Sequence, residues 1–450
     1  MTTNDGLPMP QRIGAVLTIA LGITMAVLDG SIANVALPTI ANELNTTAGA
    51  SIWIVNGYQL VITMTLLSLS SLGDIVGYRR IYKIGLVLFS AMSLLCALSD
   101  SLLTLTLARV MQGFGAAALM SVNTALIRLI YPKSKLGRGM GINALVVAIS
   151  AAAGPTVAAG ILSFASWQWL FAINVPVGII ALVLALKYLP ANDSLGGRKF
   201  DAVSGVLNAL TFGLFFIAFT SFSHQQDLLY VGFELLATLI VGFIFVRRQL
   251  SNPFPLLPVD LLRIPIFSLS ICTSICSFCA QMLAMVSIPF YFQRTLGLSE
   301  TETGLLLTPW PLATMVLAPI AGRLIEKVHA GILGAIGLAV FAAGLFSLAM
   351  LPTSPDYLDV ALRMALCGAG FGLFQSPNNH TIISAAPRNR SGGASGMLGT
   401  ARLIGQTSGT ALVALLFNLF ADHGTHISLI TAGSFALVAA VVSGLRYKAH

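Results

Sequence analysis

The chain is short of charge. Only 9% of its 450 residues are Asp, Glu, Lys or Arg, against about 25% in an ordinary soluble domain. A soluble chain of this length would form two or three domains with polar surfaces, and a composition that is 56% hydrophobic cannot coat them. Cysteine is scarce too. Cys96, Cys272, Cys276, Cys279 and Cys367 all fall inside apolar runs, which argues against structural disulfides in outer loops. Acidic residues number 16 against 24 basic ones. The resulting net charge of +8 points to no nucleic-acid partner, and fits loops that face anionic membrane lipid. No G-x-x-x-x-G-K-[ST] phosphate loop is present, which disfavours work driven by ATP. H-E-x-x-H and G-x-S-x-G are missing as well, and no polar stretch could house a catalytic domain, so the chain does not read as an enzyme.

Long apolar runs are what the sequence has in quantity. Fourteen of them cover roughly 13–36, 50–71, 81–99, 102–127, 140–162, 168–189, 203–222, 228–246, 267–290, 303–324, 331–351, 358–383, 393–420 and 428–446, each near the ~20 residues that cross a bilayer. The first continues past Asp29 without a small-residue cleavage site and reads as a retained helix. With the N-terminus inside, 20 of the 24 basic residues, Arg446 and Lys448 among them, fall on the cytoplasmic side. Only Arg294 falls outside, and Arg109, Arg363 and Arg402 lie within spans. Loop Lys and Arg bias sets orientation. The expected fold class is an all-α polytopic membrane protein with both termini cytoplasmic.

A repeat runs through the chain at a spacing of 255 residues. Gly113, Gly115, Asn123, Pro132, Gly137, Gly141 and Gly154 match Gly368, Gly370, Asn378, Pro387, Gly392, Gly396 and Gly409, with Arg109 and Arg363 one residue out of step. Two six-helix bundles related as repeats are expected, spans 1–6 and 9–14. Spans 7 and 8 have no counterpart and read as an inserted hairpin between polar linkers. The expected divisions are 1–192, 193–262 and 263–450. Repeated bundles of this kind place a substrate site between them near the midplane.

Several ordered motifs resemble the major facilitator superfamily, in particular its fourteen-helix drug:proton antiporter branch, across essentially the whole chain. Span 1 ends Leu28-Asp29-Gly-Ser-Ile-Ala-Asn34-Val-Ala-Leu-Pro38. The loop after span 2 reads Leu72-Gly73-Asp74-Ile-Val-Gly77-Tyr-Arg79-Arg80. Span 4 carries Arg109-Val-Met-Gln112-Gly113-Phe-Gly115, and span 5 carries Gly154-Pro155-Thr-Val-Ala-Ala-Gly160, with Ser150 where the branch has Gly. Trp167-Gln-Trp169-Leu-Phe-Ala-Ile-Asn174-Val-Pro176 and Pro289-Phe-Tyr291-Phe-Gln293 are further features of the branch. The resemblance implies a proton-coupled exporter of lipophilic or cationic small molecules in a bacterial inner membrane. Such a protein needs no cofactor, runs on the proton gradient and works as a monomer, with protons and a small-molecule substrate as its partners. An exporter dedicated to one metabolite and a non-transporting membrane sensor are the alternatives.

Within that frame Asp29 and Arg109 are the candidate coupling pair. Asp29 lies about 24 Å from the cytoplasmic start of span 1 and Arg109 about 10 Å from the outer start of span 4, at 1.5 Å per residue. Charges at such depth are costly and gain from pairing, and a motion that changes their separation would load or release a proton. A static pair locking spans 1 and 4 is the other reading. Asp74, Gly77, Arg79 and Arg80 form the gating motif, with Asp74 expected at the N-terminus of span 13. Gly154, Pro155 and Gly160 form the antiporter motif, expected to bend span 5 or bring the halves into tight contact. Asn34, Tyr58, Gln59, Gln112, Asn143 and Trp310 are candidate cavity residues.

The remaining polar groups carry weaker expectations. Glu234 reads as a snorkelling surface carboxylate. Arg363 and Arg402 read as packing partners of carbonyls, and His380 as a capping or packing residue. Cys272, Cys276 and Cys279 share a helical face, but packing outweighs soft-metal binding there. Asp422, His423 and His426 read as ordinary loop, so no metal site is expected.

Overall fold

In a computed structural model the chain is all-helical among the described residues, which are 6–447 apart from 47, 52, 133–134, 191–199, 224–226, 253–254, 326, 353–354, 387–390 and 421–422. Lys133, Arg198, Lys199, Pro387, Arg388, Arg390, Asp422 and Lys448 therefore lie outside the described residues, as do parts of both linkers. Each predicted apolar run coincides with helix. The first six are α1 (Met9–Glu43), α2 (Trp53–Val76), α3 (Tyr78–Ala97), α4 (Leu102–Ile130), α5 (Leu136–Leu162) and α6 (Gln168–Ala172 continued by Asn174–Tyr188). Then come α7 (Ala202–Ser223) and α8 (Leu228–Ser251). The last six are α9 (Pro265–Phe290), α10 (Glu300–Leu307 continued by Pro309–Leu324), α11 (Ala330–Ala349), α12 (Tyr357–Ala385), α13 (Ser391–Leu419) and α14 (Gly424–Leu445). Among the described residues, twelve of the helices are long and apolar enough to cross a membrane, while α7 offers a shorter apolar stretch, Ala202–Ala218. The protein is a multi-pass membrane protein with twelve or more spans.

Local chemistry sets the helix ends. Ser101 opens α4 with a capping box, its Oγ accepting from the Thr104 amide at 3.3 Å, and Ser299 with Glu302 does the same for α10. Asp227 caps α8 at the Leu229 amide. Pro265 occupies the first turn of α9, where its missing N–H costs nothing. Between α2 and α3 the chain turns at Gly77, whose φ of 105° is open to glycine and strained for other residues.

The chain divides into two compact units, Met1–Ala209 and Leu210–His450. Inside the first, α1 packs on α5 and α6, α4 on α2 and α3, and α3 on α6. Inside the second, α9 packs on α13 and α14, α12 on α10 and α11, and α11 on α14. The pairing scheme is the same, and so are its closest approaches. A Cβ built on Gly85 would stand 3.1 Å from the Gly115 carbonyl oxygen, and one on Gly337 2.8 Å from that of Gly370. Gly115 and Gly370 in turn lie against the backbone of Phe89 and Phe341. Small residues let helices touch where lipid supplies no hydrophobic drive for association. The second unit's core is aromatic: the rings of Trp310, Phe341, Phe371 and Phe278 meet edge-to-face in succession at 5.4–5.5 Å, a favoured geometry. The start of α7 is tied to α2 by Asn208, which donates to the Met64 carbonyl at 2.7 Å.

Candidate functional site

Five helices of the first unit converge on one buried carboxylate. Asp29 of α1 is 1% exposed. Its Oδ2 pairs with Arg109 Nη1 of α4, and its Oδ1 accepts from Gln112 Nε2 at 3.1 Å and from Asn174 Nδ2 of α6 at 2.8 Å. Arg109 is fully buried. It donates through Nε to the Ile54 carbonyl of α2 at 3.1 Å and through Nη1 to Gln112 Oε1 at 2.7 Å. The guanidinium carbon stands 4.1 Å from the Tyr58 ring centroid and 5.4 Å from that of Phe171, within cation–π range. Gln112 is held from α3 by Ser93 Oγ at 2.7 Å. Arg109 Nη2 is the exception, buried without a hydrogen-bond partner among the described residues.

Sequence spacing brought Asp29 and Arg109 together on paper, and the structure places them in contact. It moves two other residues. Tyr58 and Gln112, expected on a cavity wall, are buried members of this cluster, with Tyr58 also donating to the Ala26 carbonyl at 3.0 Å. Trp310, expected on a cavity wall too, is 1% exposed and belongs to the second unit's aromatic core. Asn34 donates to Gly30 of its own helix at 3.2 Å. Asn143 accepts from Asn123 at 2.7 Å. Gln59 keeps a buried oxygen without a hydrogen-bond partner among the described residues.

The antiporter motif sits on the seam between α1 and α5. Pro155 lacks the N–H that would reach the Ala151 carbonyl, and Ser31 Oγ donates to that carbonyl instead, at 3.3 Å. A Cβ on Gly154 would stand 2.5 Å from Ser31 Cβ, so the tight contact lies inside the first bundle. Ser150, the departure from the branch pattern, donates to Thr24 of α1 at 3.0 Å. Gly160, the last residue of the motif, has no atom within 4 Å of a built Cβ.

In the gating motif Asp74 Oδ1 accepts from the Tyr78 hydroxyl at 2.7 Å. Arg79 Nη2 reaches the Leu186 carbonyl in the last turn of α6, where a cation complements the helix dipole; Arg80 is exposed.

The weaker expectations divide. Arg363 does serve a carbonyl, that of Ser347, and also pairs with Asp359. Arg402 lies 5.7 Å from the Phe278 ring centroid. Glu234 does not snorkel: Oε1 accepts from Ser221 of α7 at 3.1 Å and Oε2 is buried. His380 neither caps nor packs, being exposed within α12. Cys272 is exposed while Cys279 is buried, and the described residues contain no group of His, Cys, Asp and Glu able to hold a metal.

The Major Facilitator Superfamily model matches residues 19–410, with a second match over 272–447. The chain belongs to the major facilitator superfamily. Members similar to it include the uncharacterized transporter YebQ of Escherichia coli, 69% identical over 98% of this chain and 97% of that protein. The riboflavin transporter RibZ of Clostridioides difficile is 31% identical over 91% and 89%. The multidrug resistance protein Stp of Mycobacterium tuberculosis is 30% identical over 88% and 74%. Superfamily membership makes the chain a transporter of small molecules and not an enzyme. Asn174, Ser93 and Phe171 are the cluster members that sequence reasoning did not pick as site residues. Asn174 and Phe171 lay in a quoted motif to which no role was attached.

Proposed function

We propose that the protein exports lipophilic or cationic small molecules in exchange for protons. It would work in a bacterial inner membrane with both termini cytoplasmic, as a monomer without a cofactor. The observation that carries this reading is the Asp29 cluster: one carboxylate, shut away from water, whose negative charge is balanced by one guanidinium. A proton arriving at Asp29 cancels the attraction that holds Arg109. The guanidinium is then left uncompensated in a low-dielectric surrounding, which costs several kcal/mol. The two helices must then rearrange or release the proton. This links proton occupancy to the relative positions of α1 and α4, as alternating access between repeated bundles requires. Export, in preference to uptake, is supported by the Gly154-Pro155 motif and by relatives that confer drug resistance.

The test is transport by purified protein in proteoliposomes against a panel that includes ethidium, rhodamine 6G and riboflavin. Accumulation should follow an imposed pH gradient and collapse when a protonophore dissipates it. Accumulation driven by ATP without a pH gradient would sink the proposal. The riboflavin transporter RibZ supports a second reading, transport of a single metabolite, and turnover of riboflavin alone among the panel would favour it.

Asp74 is assigned a latch role at the inner gate. Asp74→Asn is then expected to lower turnover severalfold while leaving the apparent substrate affinity within about twofold, because a gate residue contributes to steps after binding. Initial-rate measurements across substrate concentration check this, and lost affinity at normal turnover would show that the residue belongs to the substrate site.

A further inference from the structure

The run from Trp167 to Pro176 is prominent in the sequence, and the coupling reaction described so far makes no use of it. Its residues 167, 171 and 174 fall at helical spacing on one face. Trp167 is 1% exposed, and its ring meets that of Phe171 edge-on at 6.1 Å. Phe171, fully buried, stands beneath the Arg109 guanidinium at 5.4 Å. One turn later Asn174 donates to Asp29 Oδ1 at 2.8 Å. A single face of α6 therefore addresses both members of the ion pair, an aromatic ring toward the cation and an amide N–H toward the anion.

We propose that Asn174 is a positioning residue for proton coupling, binding α6 to α1 tightly while Asp29 is ionised and more weakly when Asp29 is protonated. The proposal rests on the reading of Asp29 as the proton-carrying site. A hydrogen bond to an ionised acceptor is about twice as strong as one between neutral groups. Protonation of Asp29 thus weakens two attachments of α1 together: the ion pair to α4 and the amide bond to α6. The proton is taken up by the carboxylate oxygen and later leaves from it; no other bond is made or broken. Asn174 transfers no proton. It makes α6 sense whether Asp29 is charged, and Phe171 on the same face of α6 holds the Arg109 guanidinium against its ring. The α3 residue Ser93 reaches Asp29 only through Gln112, so α6 is the additional helix that bonds the carboxylate itself.

The full chain in proteoliposomes, with ethidium as the probe, separates coupling from structure. Two modes are read: accumulation driven by a pH gradient, and ethidium counterflow at equal pH on both sides. Asn174→Leu is expected to lower accumulation about tenfold and to leave counterflow within about twofold, as loss of one charge-assisted bond predicts. Asn174→Gln retains the donor on a longer stem and should recover a substantial part of the accumulation. If the Leu variant does not reach the membrane, Asn174→Ser carries the same two readouts. Accumulation by Asn174→Leu at the wild-type level would overturn the proposal. Loss of accumulation and counterflow in equal proportion would overturn it too, showing a purely structural role. A wild-type protein that shows counterflow but no gradient-driven accumulation would instead overturn the reading of Asp29, whatever the Asn174 variants do.

Discussion

Asp29→Asn is expected to abolish accumulation of substrate against a gradient and to lower the yield of folded protein, because the buried Arg109 loses its anion, while the folded fraction still exchanges substrate. The side chains are nearly isosteric, so Gln112 and Asn174 keep an acceptor at Oδ1, while Arg109 loses the charged Oδ2. What disappears is the group that takes up and returns a proton. Arg109→Ala breaks the same pair from the other side. It strands a carboxylate that is 1% exposed without its cation, and breaking a buried pair from one side costs about 3–5 kcal/mol. That is a large share of the 5–15 kcal/mol typical of a folded domain. The Arg109→Ala protein should be depleted from the membrane fraction, and Asp29→Asn added to it should restore much of the folded protein but none of the coupled transport. Fluorescence-detected size-exclusion chromatography reads the first effect and gradient-driven uptake the second. Gradient-driven uptake by the Asp29→Asn protein would refute the assignment.

Arg446→Ala is expected to produce the largest loss of stability in the second unit. Arg446 is fully buried. Its Nη1 donates to Asn378 Oδ1 at 2.7 Å and to Ser270 Oγ at 3.1 Å, and the guanidinium also bonds the side chain and carbonyl of Ser443. One side chain therefore joins α9, α12 and the end of α14. It packs on α11 at Gly334, where a built Cβ would stand 2.8 Å from Nη2. The described residues give it no carboxylate partner, so the burial cost is met by hydrogen bonds alone. Removing it leaves the Asn378 oxygen and the Ser270 hydroxyl without this donor, at about 1–3 kcal/mol for an unsatisfied buried group. Thermal unfolding in detergent should show a fall of several degrees, with Arg446→Lys intermediate because an ammonium lacks the planar fork. An unchanged unfolding temperature would show that the cluster contributes no stability.

The first prediction was largely legible in the sequence and the second was not. An Asp and an Arg inside apolar runs are conspicuous, because few charges enter a membrane without a partner, and the chain offers few candidates. Arg446 stands at the end of the last apolar run, where counting loop charges reads it as a marker of orientation. Only the close approach that Gly331 and Gly334 of α11 permit, and the acceptors Ser270 and Asn378 lying 176 and 68 residues away, turn it inward. Asn174 shows the same blindness. Its partner is 145 residues distant, and a neutral amide in an apolar run carries no sign of what it faces.

Trp310 and Glu234 mark the opposite error, in which a plausible sequence reading met a different neighbour. Trp310 suggested a cavity wall, yet the indole is buried against Phe341. Glu234 suggested a side chain reaching for water, yet Ser221 on the adjoining helix is within hydrogen-bond distance.

Length and hydropathy determined the helices by themselves, since a segment in lipid must satisfy its backbone internally and has few ways to do so. The 255-residue repeat likewise determined that the two halves share one packing scheme, because glycine spacing dictates where helices can touch. Which polar side chain meets which was decided only by the tertiary structure. A hydrogen bond between helices depends on their rotation and depth, and these follow from the summed packing of every residue along the interface.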